Sequence, residues 1–120
     1  MVGEFETKDD GTRQYYDSGM MREPQNNKPR FDLIIPKDQP YNETLLYRWA
    51  MLMARGAEKY SERNWEKACS QEEYDRFKAS ALRHCMQVFS EEDDEDHFAA
   101  VCFNLCAAVY TKGKMNKNEN

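Results

Sequence analysis

Along this chain the apolar residues are thinly scattered at first and then gather into three helical patterns. Residues 1–27 are dominated by polar residues and turn formers, with turn signals at Asp9-Asp10-Gly11 and Asp17-Ser18-Gly19. Such an arm has little to pack by itself, so it is expected to be disordered or laid over a partner surface. The stretch KPRFDLIIP, Lys28 to Pro36, is different: a short apolar run, Leu33-Ile34-Ile35, is closed by a proline. It predicts an extended segment docked on the core, with a short strand as the alternative.

The first helical pattern runs from about Asn42 to Tyr60, with Asn42 as N-cap and Pro40 just outside. Leu45, Leu46, Trp49, Leu52, Met53, Gly56 and Tyr60 recur at helical spacing. A glycine inside a helix costs about 1 kcal/mol relative to alanine, so Gly56 implies close packing against another helix or a ligand. Ser61 to Ser70 is a connection, with Trp65 as an anchor onto the core. The second helix opens on Ser70-Gln71-Glu72-Glu73, a capping box, and continues to about Phe89. Its apolar stripe is Tyr74, Phe77, Ala81, Cys85 and Val88; Arg76, Arg83 and Gln87 fall mainly off it. The third starts within Asp93 to Asp96, where acidic residues suit the helix dipole, and runs to about Thr111. Between Phe98 and Tyr110 only Asn104 is strongly polar. A helix apolar nearly all round needs burial on every side, more than three short helices supply, so a homo-oligomer, dimer or higher, is expected. The tail from Lys112 to Asn120 is polar and expected to fray. No strand is called for elsewhere, and no internal repeat is visible. The pattern is that of an all-α fold: a small helical bundle with an extended N-terminal arm, completed by oligomerisation. The divisions are an arm over 1–27, a helical domain over 28–111 and a tail over 112–120.

Composition narrows the function. The 120 residues fit one domain with a modest core. Seventeen basic against 22 acidic residues give a net charge of −5, so there is no basic excess for duplex nucleic acid. No apolar run is long enough to span a membrane, and the polar start does not resemble a secretory leader. Cys69, Cys85, Cys102 and Cys106 form no CxxC pair and no zinc spacing; they are read as reduced, largely structural thiols of a cytoplasmic protein.

Four groups of residues can carry chemistry. The acidic turn EEDDED, Glu91 to Asp96, opens the most apolar helix. Glu92 and Glu95, or Asp93 and Asp96, are spaced to share a face and hold a hard cation such as Mg²⁺; the alternative is a solvated acidic turn. Glu58, beside Arg55 and Lys59, is a second acidic candidate or a surface ion-pair partner. Arg83-His84 suits a phosphate or a plain helix surface. His97 and Asn104, seven residues apart, share a face of the buried helix, and a buried Asn needs partners that a nucleobase or a neighbouring helix supplies.

In order, DSGMMRE, KPRFDLI, RGAEKYSERNWEK, SALRH and DEDHFAAVCFN resemble the small dATP/dGTP diphosphohydrolase-like proteins common in phages, often grouped with the MazG-type nucleotide pyrophosphohydrolases. The likeness spans roughly residues 17 to 110. It implies an all-α oligomer that cleaves a deoxynucleoside triphosphate between its α- and β-phosphates with metal ions. Carried over, Glu58, Glu92, Glu95 and Asp96 are implied metal ligands, with Glu58, Glu92 and Asp96 catalytic and Mg²⁺ or Mn²⁺ the cofactor. Lys59, Arg63, Arg83 and His84 are implied phosphate contacts. Asn64, Trp65 and Asn104, with His97, are implied to shape the nucleotide pocket, and Lys28 and Arg30 to cover it. The chain departs from the EExxE and ExxD helices of MazG-type enzymes: its first helix offers Glu58 and Glu62, and its second element is an ExxE overlapped by a DxxD. A non-catalytic protein that sequesters a signalling nucleotide remains the alternative, and a purely structural helical protein the third reading.

Overall fold

The computed structural model describes residues 6–9, 11–24 and 27–118. The chain divides into two compact units, residues 1–34 and 35–120.

In the N-terminal unit, two short strands, β1 (Gln14–Tyr15) and β2 (Met21–Arg22), pair antiparallel with Gln14 opposite Arg22 and Tyr15 opposite Met21. The turn read at Asp17-Ser18-Gly19 joins them: Gly19, at φ +94°, donates its amide to the Tyr16 carbonyl at 2.9 Å. The sequence called for no strand here, because strands of two residues leave no alternation to read. Of the first turn signal, Asp10 lies outside the described residues; Asp9 accepts from the Gly11 amide and from Arg13. Phe31–Leu33 is a turn of 3₁₀ helix, not extended chain. The amides of Leu33 and Ile34 close it onto the Arg30 and Phe31 carbonyls at 3.0 and 3.2 Å, and Phe31, Leu33 and Ile34 are exposed.

The C-terminal unit holds three helices: α1 (Leu45–Lys59), α2 (Gln71–Phe89) and α3 (His97–Asn118). Asn42 does not cap α1. It sits in a 3₁₀ turn, Tyr41–Glu43, and buried Thr44 is the cap. The Thr44 hydroxyl accepts from the Tyr47 amide at 3.1 Å and donates to the Tyr41 carbonyl at 2.7 Å, so one side chain joins turn and helix. The Ser70–Glu73 capping box opens α2 as the sequence indicates.

Contacts between His84 and His97, and between Phe77 and Phe103, show that α2 and α3 run antiparallel. Small residues are buried on both helices, Ala81 on α2 and Ala99, Ala100, Ala107 and Ala108 on α3, and small side chains let helix axes approach closely. Polar groups within α3 are satisfied by its own backbone: Asn104 donates to the Ala100 carbonyl and Thr111 to the Ala107 carbonyl, both at 2.8 Å. Trp65 anchors the connection, meeting Phe103 and Tyr110 edge-on with centroids 5.9 and 5.4 Å away.

The helix α3 continues to Asn118, past the expected end near Thr111. Thr111 and Met115 are both buried and carry the seam onward, and Lys114 donates to the Glu66 carbonyl at 2.6 Å. Glu119 and Asn120 lie outside the described residues. Within one chain α3 is not covered on every side: Phe98, Leu105 and Val109 are exposed.

Candidate functional site

The acidic turn begins as the end of α2. The Glu91 amide donates to the Val88 carbonyl at 3.0 Å and the Glu92 amide to the Gln87 carbonyl at 3.1 Å, a Schellman closure. Its left-handed position, φ +59°, is occupied by Glu91, where glycine is usual. The sharp reversal brings Asp94, Glu95 and Asp96 to the start of α3.

Asp96 is fully engaged. Its Oδ1 accepts from the Ala99 amide at 3.1 Å, capping α3. Arg48 of α1 grips both its oxygens, at 2.8 and 2.7 Å. Arg48 first, and then the capping amide, hold this carboxyl below the usual carboxylate range. Asp94 points its Oδ1 at His97 Nε2, 2.8 Å away, and this contact lowers the Asp94 pKa. His97 Nδ1 lies 2.9 Å from His84 Nδ1, and His84 Nε2 lies 3.4 Å from the Arg83 guanidinium. Both imidazoles are buried. Burial, followed by the charge of Arg83, pushes the His84 pKa below its ordinary value.

Glu92, Asp94 and His97 each offer one ligand atom, all within 4.8 Å of one another. Of the four acidic residues singled out in the sequence, only Glu92 belongs to this group. Glu95 is outside it, with its backbone carbonyl accepting from the His97 amide at 3.1 Å. Asp96 is tied to Arg48. Glu58 is exposed and stands ten residues beyond Arg48 on α1, about 15 Å of helix rise from the Arg48–Asp96 bridge. Asp94 escaped the sequence reading, although Asp94-x-x-His97 has the same spacing as the Glu92–Glu95 pair that was noticed. Mg²⁺ and Mn²⁺ take one or two carboxylates and complete their shells with water and substrate phosphate. The oxygens of Glu92 and Asp94 fit that requirement.

A second feature lies further along the bundle. A groove of about 440 Å³ opens between α1, the 3₁₀ turn Asn64–Lys67 and the middle of α2 and α3, within the size range of small-molecule sites. Its floor is apolar and aromatic: Leu52, Met53, Trp65, Phe77 and Phe103. Arg55, Lys59 and Arg63 stand at its rim with Asn64. Four of the residues singled out as nucleotide contacts, Lys59, Arg63, Asn64 and Trp65, therefore meet at one groove. Gly56 also lines it, and a Cβ built there touches nothing within 4 Å. The expected close packing at Gly56 is absent in the single chain, and the residue faces the opening.

Arg48, Arg55 and Lys59 follow each other at i, i+7 and i+11 on one face of α1. They lead from the acidic turn to the groove, and the charge of Arg55 also acts on Asp96. The remaining candidates lie elsewhere. Arg83 and His84 belong to the histidine contacts of the turn. Asn104 is in the α2–α3 seam. Lys28 pairs with Glu23 at 3.1 Å and Arg30 with Asp32 at 2.7 Å, both inside the N-terminal unit. Among the described residues no helix is long and apolar enough to cross a membrane.

A search of the curated proteins and one of the solved structures found no match. The family model described as dATP/dGTP diphosphohydrolase, N-terminal, matches residues 18–119. That span takes in β1's partner strand, all three helices, the groove and the acidic turn. The chain belongs to the dATP/dGTP diphosphohydrolase N-terminal family.

Proposed function

We propose that the protein is a metal-dependent nucleoside triphosphate pyrophosphohydrolase, converting a (deoxy)purine nucleoside triphosphate to the monophosphate and pyrophosphate. The observation that carries this reading is the groove: an aromatic floor for a base beneath a rim of three cations, built largely from the RNWEK and GAEKY segments. Aromatic faces hold a nucleobase by stacking, and guanidinium groups hold phosphate oxygens in pairs. In this reading Trp65 and Phe103 take the base, Asn64 meets its polar edge, and Lys59, Arg55 and Arg63 receive the phosphates. The first residue of α3, next to the turn, stands six residues before Phe103, about 9 Å of rise, so a ligand seated in the groove extends its phosphates toward the turn along the α1 cations. Glu92 and Asp94 would hold Mg²⁺ or Mn²⁺. The cation, when bound, supplies charge neutralisation at the phosphates and a water acidified for attack.

One observation favours a second reading. Within one chain Asp96 is committed to Arg48 and Glu58 stands away from the turn, so two carboxylates converge. That is the donor set of a single cation, not of a two-metal centre. A protein that binds a nucleotide without cleaving it needs no more, and a homo-oligomer would have to bring further carboxylates from a second copy.

Incubation with dATP, dGTP, ATP and GTP in Mg²⁺ or Mn²⁺, with products separated by chromatography, tests the proposal. Monophosphate and pyrophosphate in equal amounts, lost on adding chelator, are expected. Nucleotide that binds and is recovered intact would establish the sequestering reading in its place.

A further inference from the structure

The contacts at the base of the acidic turn form an ordered row of four side chains: Arg83, His84, His97 and Asp94, separated by 3.4, 2.9 and 2.8 Å. The two ends dictate its direction. A guanidinium only donates, and an ionised carboxylate only accepts. His84 Nε2, facing Arg83, must therefore carry the lone pair, and its proton sits on Nδ1. That proton points at His97 Nδ1, which must accept it. The His97 proton is then on Nε2 and is donated to Asp94. The opposite direction would aim an N–H of His84 at the guanidinium. An imidazolium at His84 would do the same. An imidazolium at His97 would force the His84 proton onto Nε2, with the same clash. Only one arrangement satisfies every donor and acceptor in the row.

We infer that Arg83 and His84 are positioning residues: through one directed row of hydrogen bonds they fix His97 as the neutral Nε2–H tautomer, so that it orients Asp94 and offers no lone pair to a metal. Its functional meaning rests on the cation reading of the turn; the tautomers themselves do not. His97 then stands behind Asp94 in the way outer-shell partners hold a ligand in place. The turn presents carboxylate oxygens alone, which suits Mg²⁺ or Mn²⁺ and not the imidazole-seeking Zn²⁺.

The chain contains two histidines, so a long-range ¹H–¹⁵N spectrum of ¹⁵N-histidine-labelled, metal-free protein shows both rings without overlap. Assignment comes from His84→Gln. The expected spectrum has the protonated, pyrrole-type nitrogen of His84 at Nδ1 and that of His97 at Nε2. A His84 ring protonated at Nε2, or a His97 ring protonated at Nδ1, overturns the inference. Arg83→Met is expected to bring in the Nε2–H form of His84 as a populated state, and Arg83→Lys to restore the single tautomer. An unchanged spectrum in Arg83→Met would remove Arg83 from the row. Equimolar Zn²⁺ is expected to leave the His97 Nε2 signal in place; its loss to a metal-bound signal counts against the inference. Mn²⁺ is added last. If it fails to broaden the Glu92 and Asp94 amides while the tautomers stand as stated, the cation reading falls and the positioning role holds.

Discussion

Asp94 is an exposed carboxylate whose orientation is set from behind by a buried ring, since His97 Nε2 holds its Oδ1 at 2.8 Å. That contact separates it from Glu91, Asp93 and Glu95, whose carboxylates have no such support among the described residues. If Glu92 and Asp94 hold the cation, Asp94→Asn keeps the shape and removes the charge. The Mn²⁺ concentration giving half-maximal turnover is then expected to rise by at least about tenfold, the cost of losing even an outer-shell partner, read from metal titrations of pyrophosphate release. An unchanged titration would take Asp94 out of the site. Glu91 presents a different case, a side chain held at φ +59° at the close of α2. A left-handed residue with a Cβ costs about 1 kcal/mol more than glycine there. Glu91→Gly is therefore expected to stabilise the fold by about 1 kcal/mol in denaturant unfolding, and a loss of stability would mean that the Glu91 side chain makes a compensating contact.

At the scale of elements, α1 is the part on which the proposed chemistry depends most and which is least buried. None of its residues falls in the core, and it is fastened at its start by Thr44 and by the Arg48–Asp96 bridge. Arg55 stands between that bridge and the groove and has no ion-pair partner within 4 Å among the described residues. A charged hydrogen bond to a phosphate is worth about 1.5 to 3 kcal/mol, so Arg55→Ala is expected to raise KM for the triphosphate at least tenfold. An unchanged KM would disconnect the α1 cations from the ligand. The helices were legible because α1 and α2 carry a 3.6-residue apolar repeat, because α3 is apolar nearly all round, and because Ser70 and Glu73 spell out a cap. Thr44 as cap was not, since Asn42 is an equally good capping residue and only the 3₁₀ turn before α1 decides between them. The groove was half legible: Lys59, Arg63, Asn64 and Trp65 are neighbours in sequence, but Phe77 and Phe103 reach it only through the packing of α2 on α3. The histidine pair was not legible at all. His84 and His97 are 13 residues apart across a reversal whose geometry rests on a left-handed glutamate, and no spacing rule links them.

The Arg48–Asp96 bridge also ties α1 to α3 in a pH-dependent way. Arg48 first, and then the Ala99 amide, hold the Asp96 carboxyl below the ordinary carboxylate range. A carboxyl depressed in the folded state stabilises that state above its unfolded pKa, and the contribution fades as pH falls through the folded value. Arg48→Met is thus expected to destabilise the protein at neutral pH and to cost progressively less as the pH falls below the ordinary carboxylate range and through the depressed Asp96 value. The pair is partly exposed, 45% at Arg48 and 20% at Asp96, so the neutral-pH effect belongs near 1 kcal/mol or below. Unfolding curves of both proteins across acid pH check the sign; a difference that grows on acidification would contradict it.

For the whole molecule, the C-terminal unit leaves two helical stripes of large apolar residues exposed to water. Leu82, Met86 and Phe89 follow each other at i, i+4 and i+7 on α2, and Phe98, Leu105 and Val109 at i, i+7 and i+11 on α3, all more than half exposed. None of the six faces the groove or the histidine pair. Contiguous apolar patches beyond a few hundred Å² on soluble proteins mark contact surfaces, and stable association needs about 800 Å² from each partner. Two such stripes on adjacent helices are surface of that kind, and the charge found against them is the Arg48 guanidinium, 5.4 Å from the Phe98 ring centroid. A dimer or higher assembly is the expected state at micromolar concentration, read by sedimentation equilibrium. Replacing Leu105 and Val109 together by glutamate would place two carboxylates on that face. Both positions are exposed and helical, so the folded single chain tolerates them at small cost, and unchanged helical circular dichroism would confirm that. The assembled species is expected to give way to a monomer. If the variant sediments as the wild type does, the α3 stripe is not the contact; if the wild type is itself monomeric, the apolar face is left to another partner.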